Sequence, residues 1–391
     1  MMIRTKASLL GQAGVGLIEL LVSMFIGLLI MAGVLQMVGT TSQNAIAVNG
    51  VSRIQENTRY AFSRIEDDLF RSGNMGCFSS SLNRQVMEIN DPVNGVRSTS
   101  YNKQPIINHL SSESGFNQRY DFANMLSGFD DSSLAPNTPD IAGTDSLMVR
   151  FIDRSARMPV DVATIGSGTL SLKTPFTGSV NAAINTLQPY KIVTVANCSN
   201  SETFMMKSVN ASGSSASITW DTDVAPAGGL NEGLQNDVAV SNLLADETDG
   251  SELFLYAGEG GVYEYSIGTS KHGSDLGKTC TAVVSGTTQP ETQYCALFRR
   301  GGGDAEELVD GVHNLQVDYG YNDLAGAFRF VNAKELNDLP ALERDRAWNA
   351  INRIKITLSL NSIESVATQG NIATKPISKD ISRTIVLFNQ L

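Results

Sequence analysis

Glu19 is the residue whose chemistry is hardest to ignore. It is the only charged side chain between Lys6 and Arg53, and it sits near the start of an otherwise apolar run, Gly14 to Met37. A carboxylate in such surroundings is costly, so it asks for a specific partner that relieves its charge. Other acids occur in pairs, at Asp130-Asp131, Asp221/Asp223 and Glu306-Glu307. Paired carboxylates can do general acid–base work, but these lie in loops or on exposed-looking helices, where acids normally cap or solvate. No nucleophile elbow, P-loop or H-E-x-x-H motif accompanies them. Gly301-Gly-Gly303 lacks a phosphate-gripping lysine and is a turn. Asp221-Thr-Asp223 with Gly228-Gly229 lacks the twelve-residue spacing of a calcium loop. The expectation is a chain without catalytic residues, cofactor or metal, and not an enzyme.

The element that positions Glu19 is a helix. From Leu17 to Val38 it would run about 33 Å at 1.5 Å per residue, enough for a hydrocarbon core of about 30 Å. Arg4 and Lys6 precede it and no charge follows until Arg53, which places the leader in the cytoplasm and the bulk outside. A secretory signal would be shorter and carry its small-residue site at the far end. Here Gly14 comes before the apolar run. The periodicity then continues: Val51, Ile54, Thr58, Ala61, Phe62, Ile65 and Leu69 share one face. Arg53, Gln55, Glu56, Arg59, Arg64, Glu66 and Asp67 make a polar face. This predicts one helix from Gly16 to about Arg71, on the order of 80 Å long, ended by Gly73 and Gly76 and packed on a head by its apolar stripe. Gly27, Gly33 and Gly39 leave two readings open: local bending or unwinding, or close packing against other helices.

This N-terminus resembles that of type IV pilins and pseudopilins. The resemblance implies cleavage by a membrane peptidase after Gly14, methylation of the new N-terminus at Val15, and a role for Glu19, the fifth mature residue, in attracting the amine of a neighbouring subunit. Val15 departs from the phenylalanine or methionine more usual there. Glu19 lies one turn from Val15 on the same face, so such a charge pair would fix register between neighbours.

Beyond the helix the pattern changes to period two. Segments 146–152, 191–196, 203–209, 252–256, 261–267, 293–299, 314–319, 353–360 and 382–388 read as strands of a plausible antiparallel sheet. Short helices are expected at Ala305–Asp310 and Pro340–Asn349, the latter with proline at its first turn. Stretches 90–140, 210–250 and 268–292 read as long loops. The fold class is α+β and type IV pilin-like. A leader (1–14) precedes a hydrophobic half-helix (15–39), an amphipathic half (40–71) and a large β-rich head (72–391). Four cysteines lie in the exported part, where disulfides form. Of three connectivities we favour Cys280–Cys295, closing a hairpin-like loop, with Cys77–Cys198, tying the helix end to the sheet. With no C-x-x-C and scattered His109, His272 and His313, zinc is discounted. The net charge of −11 argues against binding nucleic acid through its phosphates, and leaves room for a small basic patch.

The C-terminal third narrows the resemblance. Leu308-Val-Asp-Gly-Val-His-Asn-Leu-Gln-Val-Asp-Tyr-Gly320 is similar to the signature of PilW-type minor pilins, as are the run from Trp348 to Leu360, Arg383–Asn389 and Ala142–Phe151. That implies a subunit of a pilus-tip complex that primes assembly, with roles in motility, adhesion or DNA uptake. Its partners would be other minor pilins and the major pilin, the prepilin peptidase, the inner-membrane assembly platform and, before assembly, the lipid bilayer. Its location would be the inner membrane of a Gram-negative cell, head in the periplasm, and then the pilus. Two alternatives stand beside this: a J-type pseudopilin of type II secretion, and a membrane-anchored adhesin that never polymerises.

Overall fold

Both halves of the N-terminal pattern form a single α-helix, Leu17–Arg71, of 55 residues in the computed structural model. The structure describes residues 16–75, 78–79, 87–90, 97–101, 104–108, 110–112, 124–131, 141–152, 157–166, 168–173, 187, 189–196, 201–212, 215–223, 234–236, 254–256, 261–281, 292–301, 305–323, 326–367 and 374–387. By their contacts the residues fall into two units, one of Met1–Arg53 with Glu364–Ile377, the other of Ile54–Ile363 with Ser378–Leu391.

In the first unit the helix is unbroken through Gly27, Gly33 and Gly39. No atom outside the helix backbone lies within 4 Å of a Cβ placed at any of the three. The helix therefore does not unwind at them, and the open space beside them is what close approach of another helix requires.

In the second unit the stripe read from the sequence is the buried face. Ile54, Thr58, Ala61, Phe62, Ile65 and Leu69 are all buried, as a 3.6-residue period demands. Asp68 and Ser72 lie on the same face and are buried too. Arg71 is the last helical residue, and Gly73, at φ +77°, turns the chain away. Positive φ costs glycine nothing.

The rest is β-rich, in several sheets rather than the one expected. A five-stranded sheet runs Glu306–Asp310, Cys295–Arg300, Gly261–Thr269, Ser146–Phe151, Leu126–Phe129, antiparallel throughout. A four-stranded sheet runs Phe328–Val331, Val312–Asn322, Ile351–Ala367, Thr374–Val386. A ten-stranded sheet includes Ile192–Ala196 at its centre, and its one parallel pair joins Gln104–Asn108 to Ser201–Met205. Its core packs Met158, Val160, Val193, Val195, Ile218 and Leu255 around Phe204 and Trp220, whose rings lie 5.1 Å apart.

The chain passes from the five-stranded to the four-stranded sheet at Gly311. Its φ is +79°, its amide donates to the Cys295 carbonyl at 2.8 Å, and its carbonyl accepts from the Asn361 amide at 2.8 Å. A Cβ there would lie 2.6 Å from the Asn361 carbonyl oxygen, so only glycine fits.

Several expectations are corrected. Residues Glu306–Asp310 form a strand, not part of a helix, because they pair with Cys295–Arg300. The segment 203–209 is divided between two strands, Ser201–Met205 and Ser208–Ser212. Pro340 occupies the N-cap position of the helix Ala341–Asn349 rather than its first turn. The stretches read as loops contain strands, among them Leu126–Phe129, Ser215–Thr219 and Leu234–Asn236, and a short helix, Lys271–Asp275.

Candidate assembly helix and its seat in the head

The apolar half of the helix leaves its side chains uncovered. Leu17, Ile18, Leu20, Leu21, Phe25, Leu28, Leu29, Leu35 and Val38 are all exposed. A patch of that extent exceeds what a water-facing surface tolerates and calls for lipid or other helices around it. By length and composition this helix is able to cross a membrane. Its hydroxyls are turned inward to the backbone: Ser23 donates to the Glu19 carbonyl at 2.8 Å, Thr40 to Gln36 at 2.7 Å and Thr41 to Met37 at 2.8 Å. Such back-bonding hides their polarity. Glu19 is the one charged side chain of this apolar half. It stands in the first turn, where the helix dipole favours an anion, and its amide donates to the Gly16 carbonyl at 2.9 Å. Gly14 and Val15 lie outside the described residues.

The lower part of the helix is held by a buried charge centre. Asp68 Oδ2 accepts from Arg299 Nε at 2.6 Å and from the Tyr265 hydroxyl at 2.6 Å, and Oδ1 accepts from Arg299 Nη2 at 3.2 Å. The carboxylate is 1% exposed and the guanidinium 11%. Arg299 also stacks on Tyr263, with its guanidinium carbon 3.8 Å from the ring centre. Burial by itself lowers the Arg299 pKa, but the Asp68 hydrogen bonds and charge outweigh it and hold the cation firmly. Burial, then the Asp68 charge, push the Tyr265 hydroxyl up, so it remains a donor. A pair this dry persists only when its remaining hydrogen-bonding capacity is met.

Around this centre the polar face is tied as well. Arg383 Nε lies 2.9 Å from Glu66 Oε1, with its guanidinium over Phe62. Asn57 donates to the Asp310 carbonyl at 3.4 Å. The three central residues were not found from sequence, because Tyr265 and Arg299 lie about two hundred positions from Asp68. The available signal was Asp68 itself, an acid three residues after Ile65 on the apolar stripe.

A second buried polar centre lies between the two C-terminal sheets. Asp145 donates its amide to the Leu315 carbonyl at 2.8 Å and accepts the Val317 amide at 2.8 Å. Burial pushes its carboxyl up to about 7; the Val317 hydrogen bond lowers it and the Asp130 charge raises it. Tyr319 is fully buried beside it, edge-on to Trp348 at 4.8 Å. Trp348 Nε1 donates to Asn337 Oδ1 at 3.1 Å, and Asn337 donates to the Gly128 carbonyl at 3.0 Å.

The acids singled out for possible chemistry are each engaged with backbone or a base. Asp130 accepts the amides of Ala333 and Lys334, both at 3.0 Å, at the start of the helix Ala333–Asn337. Asp131 accepts the Gly143 amide at 2.9 Å. Asp221 and Asp223 both pair with Lys207. Glu306 lies 4.0 Å from Arg299 Nη1, and Glu307 accepts the Lys271 amide at 2.6 Å. Among the described residues no cluster of three or more His, Cys, Asp or Glu is arranged to hold a metal.

Cys280 and Cys295 form a disulfide, closing a separation of 15 residues as expected. Cys295 opposes Thr269 across the sheet, and the Cys280 amide donates to Thr269 Oγ1 at 3.0 Å. Cys77 and Cys198 lie outside the described residues, as does His109.

Residues 265–380 match the family described as Type IV Pilus-assembly protein W, PilW. The match supports a PilW-type pilus protein. It starts at Tyr265 of the charge centre and spans Arg299, the disulfide and the Gly311 crossover. It contains the motifs at 308–320 and 348–360; those at 142–151 and 383–389 lie outside it. No curated protein and no solved structure matches the chain.

Proposed function

We propose that this PilW-type chain is a minor pilin that enters a type IV pilus through its N-terminal helix and helps to prime assembly at the pilus tip. One observation carries this reading: a single helix has an uncovered apolar half bearing one carboxylate, and its other half is keyed into a β-rich head. The first half suits a bilayer before assembly and neighbouring helices after it. The second half transmits position to the head.

On this reading the peptidase cuts between Gly14 and Val15, and Val15 is methylated. Glu19 meets the ammonium of the neighbour ahead in the polymer. The pair contributes register more than net stability, because desolvation offsets most of its attraction. The large head suits a capping place, since it fits poorly into a repeating shaft. The partners are the major pilin and other minor pilins, the peptidase and the inner-membrane platform. No catalytic step is assigned.

The test is Glu19→Ala in cells. The variant is expected to accumulate in the inner membrane at the normal level while its amount in sheared pili falls about tenfold or more, the scale of ~1.4 kcal/mol. Unchanged incorporation would remove the role given to Glu19.

A further inference from the structure

The outer face of the four-stranded sheet carries a feature that the pilus reading leaves unused. Phe328 and Phe330 are 40% and 41% exposed, at alternate positions of the edge strand Phe328–Val331. Their rings meet edge-on at 5.2 Å. Phe330 pairs with Gly320, which pairs in turn with Arg353 on the following strand. Both phenyl rings fold over Gly320, where a Cβ would come within 2.7 Å of Phe328 and 2.9 Å of Phe330. The Arg353 guanidinium carbon stands 4.8 Å from the Phe328 ring centre. Among the described residues no carboxylate pairs with Arg353, whereas nearby Lys355 is matched by Asp318 at 2.9 Å. The patch is therefore two exposed rings with one uncompensated cation, on the rim of an acidic protein.

The strand beside it is an edge. Among the described residues Phe328–Val331 has a neighbour on one side only, which leaves backbone donors and acceptors facing outward, a template for another strand. The exposed side chains at 328 and 330 lie on one face, as alternate residues of a strand must.

We propose that this edge and face receive an extended segment of a different subunit of the same polymer, one that carries a single carboxylate beside an apolar side chain. The segment would add as a strand along Phe328–Val331, lay an apolar side chain on the two rings and place a carboxylate against Arg353. Strand addition supplies backbone hydrogen bonds, and the pockets beside the edge supply selectivity. Charge decides the class of occupant. One guanidinium held against the Phe328 ring suits one carboxylate, and the net charge of −11 disfavours any polyanion at long range. The proposal rests on the pilus reading and names the surface through which that assembly is made.

The experiment replaces Phe330 by the photo-crosslinker p-benzoylphenylalanine in intact cells and identifies the adduct by mass spectrometry. Gln316, on the same sheet face, carries the crosslinker in a control. The expected result is an adduct from position 330, absent from 316, to a segment of another pilus subunit that holds an Asp or Glu beside an apolar residue. Adding Arg353→Glu should lower its yield about fivefold or more, the scale of one partly screened ion pair. Circular dichroism should show the head folded in each variant. An adduct to a second copy of this chain, to lipid or to nucleic acid would overturn the proposal, as would no adduct or a yield indifferent to Arg353→Glu. The amount of the chain in sheared pili is measured alongside. Pili that contain the chain without the adduct count against the docking surface alone; absence from pili counts against the pilus reading.

Discussion

Asp68→Ala is the substitution that asks most of the structure. It removes the acceptor of three hydrogen bonds, from Tyr265 and twice from Arg299. What remains is a guanidinium 11% exposed, with Glu306 Oε2 at 4.0 Å as the other acid paired with it among the described residues. Breaking one side of a buried pair costs about 3–5 kcal/mol. The partial exposure of Arg299 and the help from Glu306 place this case near the lower end, about 3 kcal/mol. At about 2 °C per kcal/mol for a large domain, the melting temperature falls about 6 °C. Urea denaturation in detergent can follow the two tryptophans, Trp220 and Trp348, both buried and in different parts of the head. The double variant Asp68→Leu with Arg299→Met should recover most of the loss, because it leaves no charge without its partner. A cost under about 1 kcal/mol for Asp68→Ala, or losses that simply add in the double variant, would show that the centre is solvated and does not hold the helix.

Further expectations concern the head. Asp145 has its folded pKa raised to about 7 by burial, so its contribution to stability is complete below the unfolded value near 4 and is lost as pH rises through 7. Asp145→Asn, which keeps an acceptor for Val317, should therefore melt higher than the parent at pH 8, with the difference vanishing at pH 4; equal melting temperatures at pH 8 would contradict the assignment. Cys280→Ser with Cys295→Ser removes a 15-residue closure and should cost about 3 kcal/mol by the loop-entropy argument, read by urea titration. Gly311→Ala forces a Cβ onto the Asn361 carbonyl at positive φ and should cost at least about 1–3 kcal/mol. A Gly311→Ala head as stable as the parent would mean that the crossover between sheets is not as tight as described.

The long helix was legible because a 3.6-residue period over many turns leaves little choice of face, and each residue from Ile54 to Leu69 named for the buried stripe is buried. Strands with clean alternation, such as Ile354, Ile356, Leu358 and Leu360 within Ile351–Ala367, were equally plain. Ser208–Ser212 and Ser215–Thr219 were not, because serine and asparagine fill their positions and their pairing, not their apolar content, makes them strands. Arg157–Gly166 escaped notice with Pro159 and Asp161 interrupting its pattern. Glu306 and Glu307 suggested the exposed first turn of a helix, yet a partner strand decided otherwise. Of the candidate site, Glu19 announced itself through its apolar surroundings. Asp68, Tyr265 and Arg299 did not, since a contact closed across about two hundred residues has no spacing to read. The phenylalanine pair at 328 and 330 became a surface only once Gly320 and Arg353 were seen beside it.

The central claim is that the apolar rod, trimmed and bearing its carboxylate, is built into a filament. It is tested most directly by mass spectrometry of this chain recovered from sheared, washed pili. The account predicts an N-terminal peptide that begins at Val15, carries one added methyl group and is enriched with the filament over the cell envelope. A chain that still begins at Met1 and stays with the envelope when filaments are removed would contradict it.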